Sequence, residues 1–144
     1  MTADGLSRVR DAMVANPHPL EAGASAQEAG EALMRPEVRA VLVSDDGELV
    51  GVITRKTLVR EVVARGRDPR ATTLREIAEP PNATVDSDMP LTEAFAFLEA
   101  NDYERVPVVD RERRLVGVLS RSAIRRRLQE DESPETLAAS EDAL

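Results

Sequence analysis

The sequence predicts a mixed α/β (α+β) fold: two β-α-β-β-α repeats packed sheet to sheet with pseudo-twofold symmetry. Three observations predict it. The run from Val38 to Thr54 returns 66 residues later, without a gap, as Glu104 to Ser120. Earlier pieces return at a spacing of 65: Val9-Arg10-Asp11-Ala12-Met13 as Leu74-Arg75-Glu76-Ile77-Ala78, Glu28-Ala29 as Glu93-Ala94, and Leu33 as Leu98. The slip of one residue falls between Met34 and Arg39, in a helix-to-strand connection, where a length change is best tolerated. Third, each copy carries a β-rich pair of runs around a turn, with helical patterns on either side. Two copies are too few for a solenoid. A lone unit of about 65 residues is marginal, so the copies are expected to share one core. Their apposed faces would leave a groove, the natural seat of a ligand. The expected division is residues 1–66 for the first repeat with its leading helix, 67–129 for the second, and 130–144 for an acidic tail.

The elements follow in order. Leu6 to Met13 reads as a short leading helix. Asn16-Pro17-His18-Pro19 cannot be helical and reads as an extended turn. Leu20 to Ala22 is a short strand. Ser25 followed by Glu28 is a capping box that opens a helix from Ala26 to Met34. Val38 to Ser44 and Leu49 to Ile53 are strands joined by Asp45-Asp46-Gly47, since Asp-Gly supplies the positive φ angles of a tight hairpin. Both strands are nearly unbroken apolar runs, which predicts burial on both faces. Arg55 to Val63 is a helix with Leu58, Val62 and Val63 inward. Arg65 to Arg70 links the copies. Thr73 with Glu76 is a second capping box, Asn82 to Asp86 holds a short strand, and Pro90 opens a helix where its missing N–H costs nothing. Arg105 to Val109 and Leu115 to Leu119 are the second strand pair. Ser120 caps a last helix that runs to Gln129.

Composition narrows the classes. Aromatic residues are 2% of the chain and Trp is absent, which argues against stacking on single-stranded nucleic acid. There is no cysteine, so disulfides, thiolate metal sites and cysteine nucleophiles are excluded. No apolar run suits a signal peptide or a membrane span, which makes the cytoplasm the expected location. The net charge is −8, but Glu130, Asp131, Glu132, Glu135, Glu141 and Asp142 supply most of it and leave the body near neutral. The tail reads as disordered and solvated.

Two junctions carry the most chemistry: Leu49-Val50-Gly51-Val52-Ile53-Thr54 and Leu115-Val116-Gly117-Val118-Leu119-Ser120. A strand that ends in Thr or Ser at a helix start presents free N–H groups, a partial positive charge and a hydroxyl. Thr54 with Arg55 and Lys56 supplies this in the first copy, and Ser120 with Arg121 in the second. Helix capping alone also explains these hydroxyls.

Together with the copy opening Val9-Arg10-Asp11-Ala12-Met13 and the strand Arg105-Val106-Pro107-Val108-Val109-Asp110, these junctions resemble the CBS domain, and the tandem pair resembles a Bateman module. The resemblance covers the chain apart from its acidic tail. It implies a module that senses an adenosine-type or other anionic effector such as AMP, ADP, ATP or S-adenosylmethionine, with no required cofactor, and that commonly dimerises. It implies Thr54, Thr57, Ser120, Arg39 and Arg105 as polar ligand contacts, with Val52, Ile53, Val118 and Leu119 as apolar walls. Arg39 and Arg105 match a basic position that reaches phosphate in nucleotide-binding relatives, a geometry that guanidinium suits. In such relatives the Thr or Ser is followed three residues later by Asp or Asn, which accepts from ribose hydroxyls. Thr57 and Ala123 stand there in this chain. That departure supports an alternative: a degenerate pair acting as a ligand-free dimerisation or protein-interaction scaffold.

Other chemistries find no support. Arg111, Arg113, Arg114, Arg121, Arg125, Arg126 and Arg127 are interrupted by Glu112 and followed by acid, which disfavours nucleic acid. His18 lies between two prolines with no second His for a metal. Neither a Gly-x-Ser-x-Gly elbow nor a glycine-rich phosphate loop occurs. A non-enzymatic homodimer is expected, with Leu58, Val62, Phe95 and Ile124 lending interface area, a small-molecule effector, and a protein partner as a further option.

Overall fold

The computed structural model describes residues 7–131. The acidic tail expected at 130–144 lies outside them apart from Glu130 and Asp131. In chain order the elements are α1 (Val9–Ala12), β1 (Val14–Ala15), β2 (Leu20–Glu21), α2 (Ala26–Ala32), β3 (Val41–Asp45), β4 (Glu48–Ile53), α3 (Arg55–Leu58, continued as a π-helical turn over Val59–Val63), α4 (Leu74–Ile77), β5 (Val85–Asp86), α5 (Leu91–Asn101), β6 (Arg105–Val109) and β7 (Leu115–Ser120). A last helix, α6, covers 121–131. The result is a mixed α+β fold with two small sheets, ordered β2-β3-β4 and β1-β7-β6-β5.

The chain forms two compact units that divide it differently from the two repeats. One holds Pro17–Asn82 with Glu112–Leu115 and is called the first unit here. The second unit holds the residues up to Asn16, Ala83–Arg111 and those from Val116 onward. Each unit therefore contains the leading helix of the other repeat: α4 lies in the first unit and α1 in the second.

In the first unit, Ser25 caps α2 as its sequence requires, accepting from the Glu28 N–H at 3.2 Å while its own N–H donates to the Glu28 carboxylate at 3.0 Å. β2 runs parallel to β3, and β3 antiparallel to β4, with a bulge at Val43/Ser44. Asp46 (φ 54°) and Gly47 (φ 87°) make the tight turn between them. The core gathers Val41, Val43 and Ile53 from the sheet, Ala26 and Ala29 from α2, Val62 from α3, and Leu74 and Ile77 from α4. α4 is tied in by its backbone: Leu74 N–H donates to Ala24 O and Arg75 N–H to Ala22 O, each at 2.9 Å.

In the second unit, α1 is tied in the same way, with Val9 N–H donating to Met89 O at 2.9 Å and Arg10 N–H to Ser87 O at 3.0 Å. β1 pairs antiparallel with β7, and β5 parallel with β6. Leu91, Ala94 and Leu98 recur at helical spacing on α5 and are wholly buried with Val9, Val108, Leu119 and Ile124. Asp102 closes α5 in the left-handed region at φ 56°.

Several expectations are corrected. β4 does not bury both faces: its exposure alternates, and Val50 is 39% exposed. Val63 points outward at 71% exposure, because the π turn closes with i→i+5 bonds such as Ala64 N–H to Val59 O at 2.8 Å and turns the face by one residue. Val62 and Ile124 belong to the two cores and so supply no interface. Thr73 does not complete a capping box: its hydroxyl turns to the Glu76 carboxylate at 3.2 Å instead of accepting from the backbone. α6 continues through Asp131, two residues into the stretch read as tail, where Arg127 pairs with Asp131 one turn on at 3.5 Å.

Candidate functional site

The two junctions diverge once their side chains are placed. In the first unit β4 ends at Ile53, and Thr54 leaves it extended (φ −118°, ψ 175°) to cap α3. Its hydroxyl accepts from the Thr57 N–H at 3.2 Å, and the Thr54 N–H donates to Thr57 Oγ1 at 3.0 Å. The two hydroxyl oxygens are 3.0 Å apart. Thr57 is wholly buried, and its hydroxyl donates to Glu79 Oε1 at 3.0 Å. Glu79 is in turn ion-paired with Arg60, whose side chain is half exposed.

No local pattern in the sequence marks Glu79, which lies 22 residues from Thr57 in the segment after the second leading helix. Its position is fixed by backbone bonds to β4: Val52 N–H donates to Glu79 O at 2.8 Å, and Glu79 N–H to Val52 O at 3.0 Å. This approach explains Gly51. A Cβ there would lie 2.8 Å from Ala78 Cβ and 3.0 Å from Glu79 O. Gly117 does the same in the second unit, where a Cβ would meet Met13 Sδ at 2.6 Å and Val14 O at 2.8 Å. The repeated glycine of the two junctions thus makes room for a crossing backbone. The available signal was the spacing itself, since Ala78-Glu79 follow Met13-Val14 by 65 residues.

In the second unit the polar relay is absent. Ser120 Oγ accepts from the Ala123 N–H at 3.1 Å, a capping bond, and sits 3.3 Å from Ser122 Oγ. Ala123 stands where the first unit has Thr57, and Val14, 66% exposed, where it has Glu79. Beside Ala123 opens a cavity of about 170 Å³ bordered by Asp11, Arg126, Arg127 and Glu130, whose charges balance.

The remaining candidates are spread out. Arg39 and Arg105 are exposed, one in each unit. Ile53 and Leu119 lie wholly buried in the cores and offer a ligand no surface, whereas Val52 and Val118 are half-buried. Arg121, 17% exposed, is the most constrained cation of the arginine-rich stretch. It binds Glu104 at 2.9 Å, Asp102 at 3.3 Å and Glu99 at 3.8 Å. The hydrogen bond to Glu104 raises its pKa further above the usual arginine value. Its Nε is buried without a partner among the described residues. Arg125 lies over the Phe95 ring, 5.7 Å from the centroid. These two arginines are spent on the fold. Among the described residues no three His, Asp or Glu side chains gather as a metal site, and no helix is long and apolar enough to cross a membrane.

Comparison with known proteins agrees with the repeat. The CBS domain model matches residues 9–64 and again 74–130. An uncharacterised protein of Methanopyrus kandleri is 34% identical over 80 residues, 56% of this chain and 41% of that one. Hypoxic response protein 1 of Mycobacterium tuberculosis is 34% identical over 89 residues, 62% of either chain. The chain thus spans less than two thirds of these curated relatives. Two crystal structures share the fold: hypoxic response protein I with two coordinated zinc ions (26% identity, TM-score 0.71, 85% of this chain and 99% of that one), and CBSX2 in complex with AMP (25%, 0.68, 85% and 96%). With two matched copies covering most of its length, the chain belongs to the CBS domain family, as a tandem pair.

Proposed function

We propose that the chain is a regulatory, non-catalytic CBS pair that binds a small adenosine-type or other anionic effector, with no required cofactor. The observation that carries this reading is the similarity to a CBS structure holding AMP across 85% of this chain. Thr54, Thr57 and Ser120, with the exposed cations Arg39 and Arg105, are the polar groups proposed to serve such a ligand, AMP, ADP, ATP or S-adenosylmethionine among them. Thr57 acts by anchoring Glu79, since its own hydroxyl is buried. Val52 and Val118 supply apolar surface. Binding would shift the population of a homodimer or of a partner-bound form, in the cytoplasm.

The degenerate-scaffold reading draws on one observation, the second unit's Ala123 and Val14, which stand where the first unit has the Thr57–Glu79 pair. A thermal-shift series with AMP, ATP and S-adenosylmethionine separates the two. A ligand at 100 times its dissociation constant stabilises the fold by about 2.7 kcal/mol, a readily measured rise in melting temperature. A flat response to all three leaves the scaffold reading standing and removes the sensor for these ligands.

A further inference from the structure

We propose that two copies of this chain join first unit to first unit, through the apolar hollow over Gly30 between α2 and α3, and that the matching face of the second unit stays out of the contact. The inference rests on the homodimer reading above and names the surface that makes it. Gly30 lies inside α2, and a Cβ there would meet only Leu58 Cδ1, at 3.7 Å. No close approach requires a glycine, so its effect is to leave space. The space is a cavity of about 320 Å³ lined by Ala26, Gly30, Leu58, Val62 and Pro69 among others. Beside it Met34, Val59 and Val63 stand 79%, 58% and 71% exposed. Val59 and Val63 are the two ends of the π turn.

The second unit shows the other way to finish such a face. At the spacings of the repeat it places Phe95 for Gly30, Glu99 for Met34, Arg125 for Val59 and Gln129 for Val63. Phe95 packs against its own core, and Arg125 lies over its ring at 5.7 Å. Glu99 binds Arg125 at 3.4 Å and Arg121 at 3.8 Å. The helix there runs through 121–131 with no π turn. One face is thus filled and its charges are paired, and the other is hollow and apolar. The centre of an interface is apolar and poor in charge, and an exposed apolar patch marks a contact surface. Docking the first face on a second unit would bury the Glu99–Arg125 pair against Val and Met, where nothing replaces its water. The acidic tail would bring carboxylates to Glu31, which lines the same hollow. Another first unit has neither fault. Its projecting side chains and its hollow share one face, so a twofold axis sets each projection against the other copy's hollow. That is the self-complementarity of an isologous contact.

The chain has no cysteine, so a single introduced one reports cleanly. Full-length Met34→Cys and Glu99→Cys, made separately and co-expressed, are treated with a short bismaleimide, and wild type and Gly30→Phe are compared by sedimentation. Met34→Cys should give covalent dimers, Glu99→Cys none, and the co-expressed pair no mixed product. Gly30→Phe fills the hollow as Phe95 fills its own, and should weaken dimerisation by about tenfold or more with its melting transition intact. If it fails to fold, Val59→Arg carries the same expectation, because it puts the second unit's residue at an exposed position of the first. Cross-links between positions 34 and 99, or unchanged dimerisation in the folded variant, overturn the first-unit contact and leave the homodimer reading intact. A wild-type monomer overturns both. In that case slow alkylation of Met34→Cys assigns the hollow to the acidic tail, and fast alkylation leaves it to a different protein.

Discussion

A buried threonine hydroxyl is an expense unless every bond it needs is present. Thr57 meets that condition through Thr54 on one side and Glu79 on the other. Thr57→Val keeps the shape and strands the Thr54 N–H, so urea unfolding should show a loss of about 1–3 kcal/mol. The glycines make a second residue-scale case. Gly51→Ala would press a methyl group against Ala78 and the Glu79 carbonyl, and Gly117→Ala against Met13 and the Val14 carbonyl. Met13 can swing aside, but the backbone oxygens cannot, so each substitution should cost about 1–3 kcal/mol by the same measurement. A neutral result at either position would mean that the crossing segment yields. At this scale the sequence showed which residues recur. It could not show that the recurring glycine serves a crossing chain, because the atoms it avoids lie 27 and 104 residues away.

Among the elements, local chemistry was the most legible. Ser25, Thr54 and Ser120 all cap the helices that their positions announce. Thr54→Ala and Ser120→Ala should each lower stability by about 1 kcal/mol, with the first costing more because it also removes the donor to Thr57. The hairpin at Asp46-Gly47 was equally legible from its turn residues. The π turn over Val59–Val63 was not: no side-chain signal marks where a helix widens, and the change from i+4 to i+5 bonding exposes Val63. Arg121 pins the start of α6 to the acids at the end of α5. Its pKa is raised on folding, chiefly by the hydrogen bond to Glu104, so its stabilising contribution is complete below the unfolded value and is lost only as pH climbs through the folded value. The stability difference between wild type and Arg121→Gln should therefore stay constant from about pH 6 to about pH 9 on the arginine side, measured by chemical unfolding across that range.

For the whole molecule, the decisive fact is the exchange of leading helices. Leu74 and Ile77 fill the first unit's core and Val9 fills the second's, so neither repeat is complete at a cut after residue 66. Expressed separately, fragments 1–66 and 67–144 should show no cooperative unfolding transition, whereas 17–82, which retains α4, should keep measurably more structure by circular dichroism. Cooperative folding of 1–66 alone would refute the exchange. Leu74→Ala in the full chain should cost about 2–5 kcal/mol despite lying in the second repeat, with the loss falling on the first unit in hydrogen exchange. The proposed homodimer belongs to this scale as well. Met34, just past the end of α2, and Val59 and Val63 of α3 are large apolar side chains that the first unit leaves exposed. Sedimentation should give a dimer at micromolar concentration, weakened by Val63→Glu, and a monomer throughout would count against it.

By itself the sequence determined the duplication, the order of strands and helices, the caps and turns, and through them the family. These are local or periodic properties, written within one turn of helix or one strand. Only the tertiary structure decided which core each leading helix completes and which carboxylate stands behind Thr57. A four-residue helix with one apolar edge states that it must be buried, not against what. The two sheets are near copies, so pattern alone cannot choose between them. Backbone pairing across Gly51 and Gly117 makes the choice, and it carries Glu79 to the first junction and Val14 to the second.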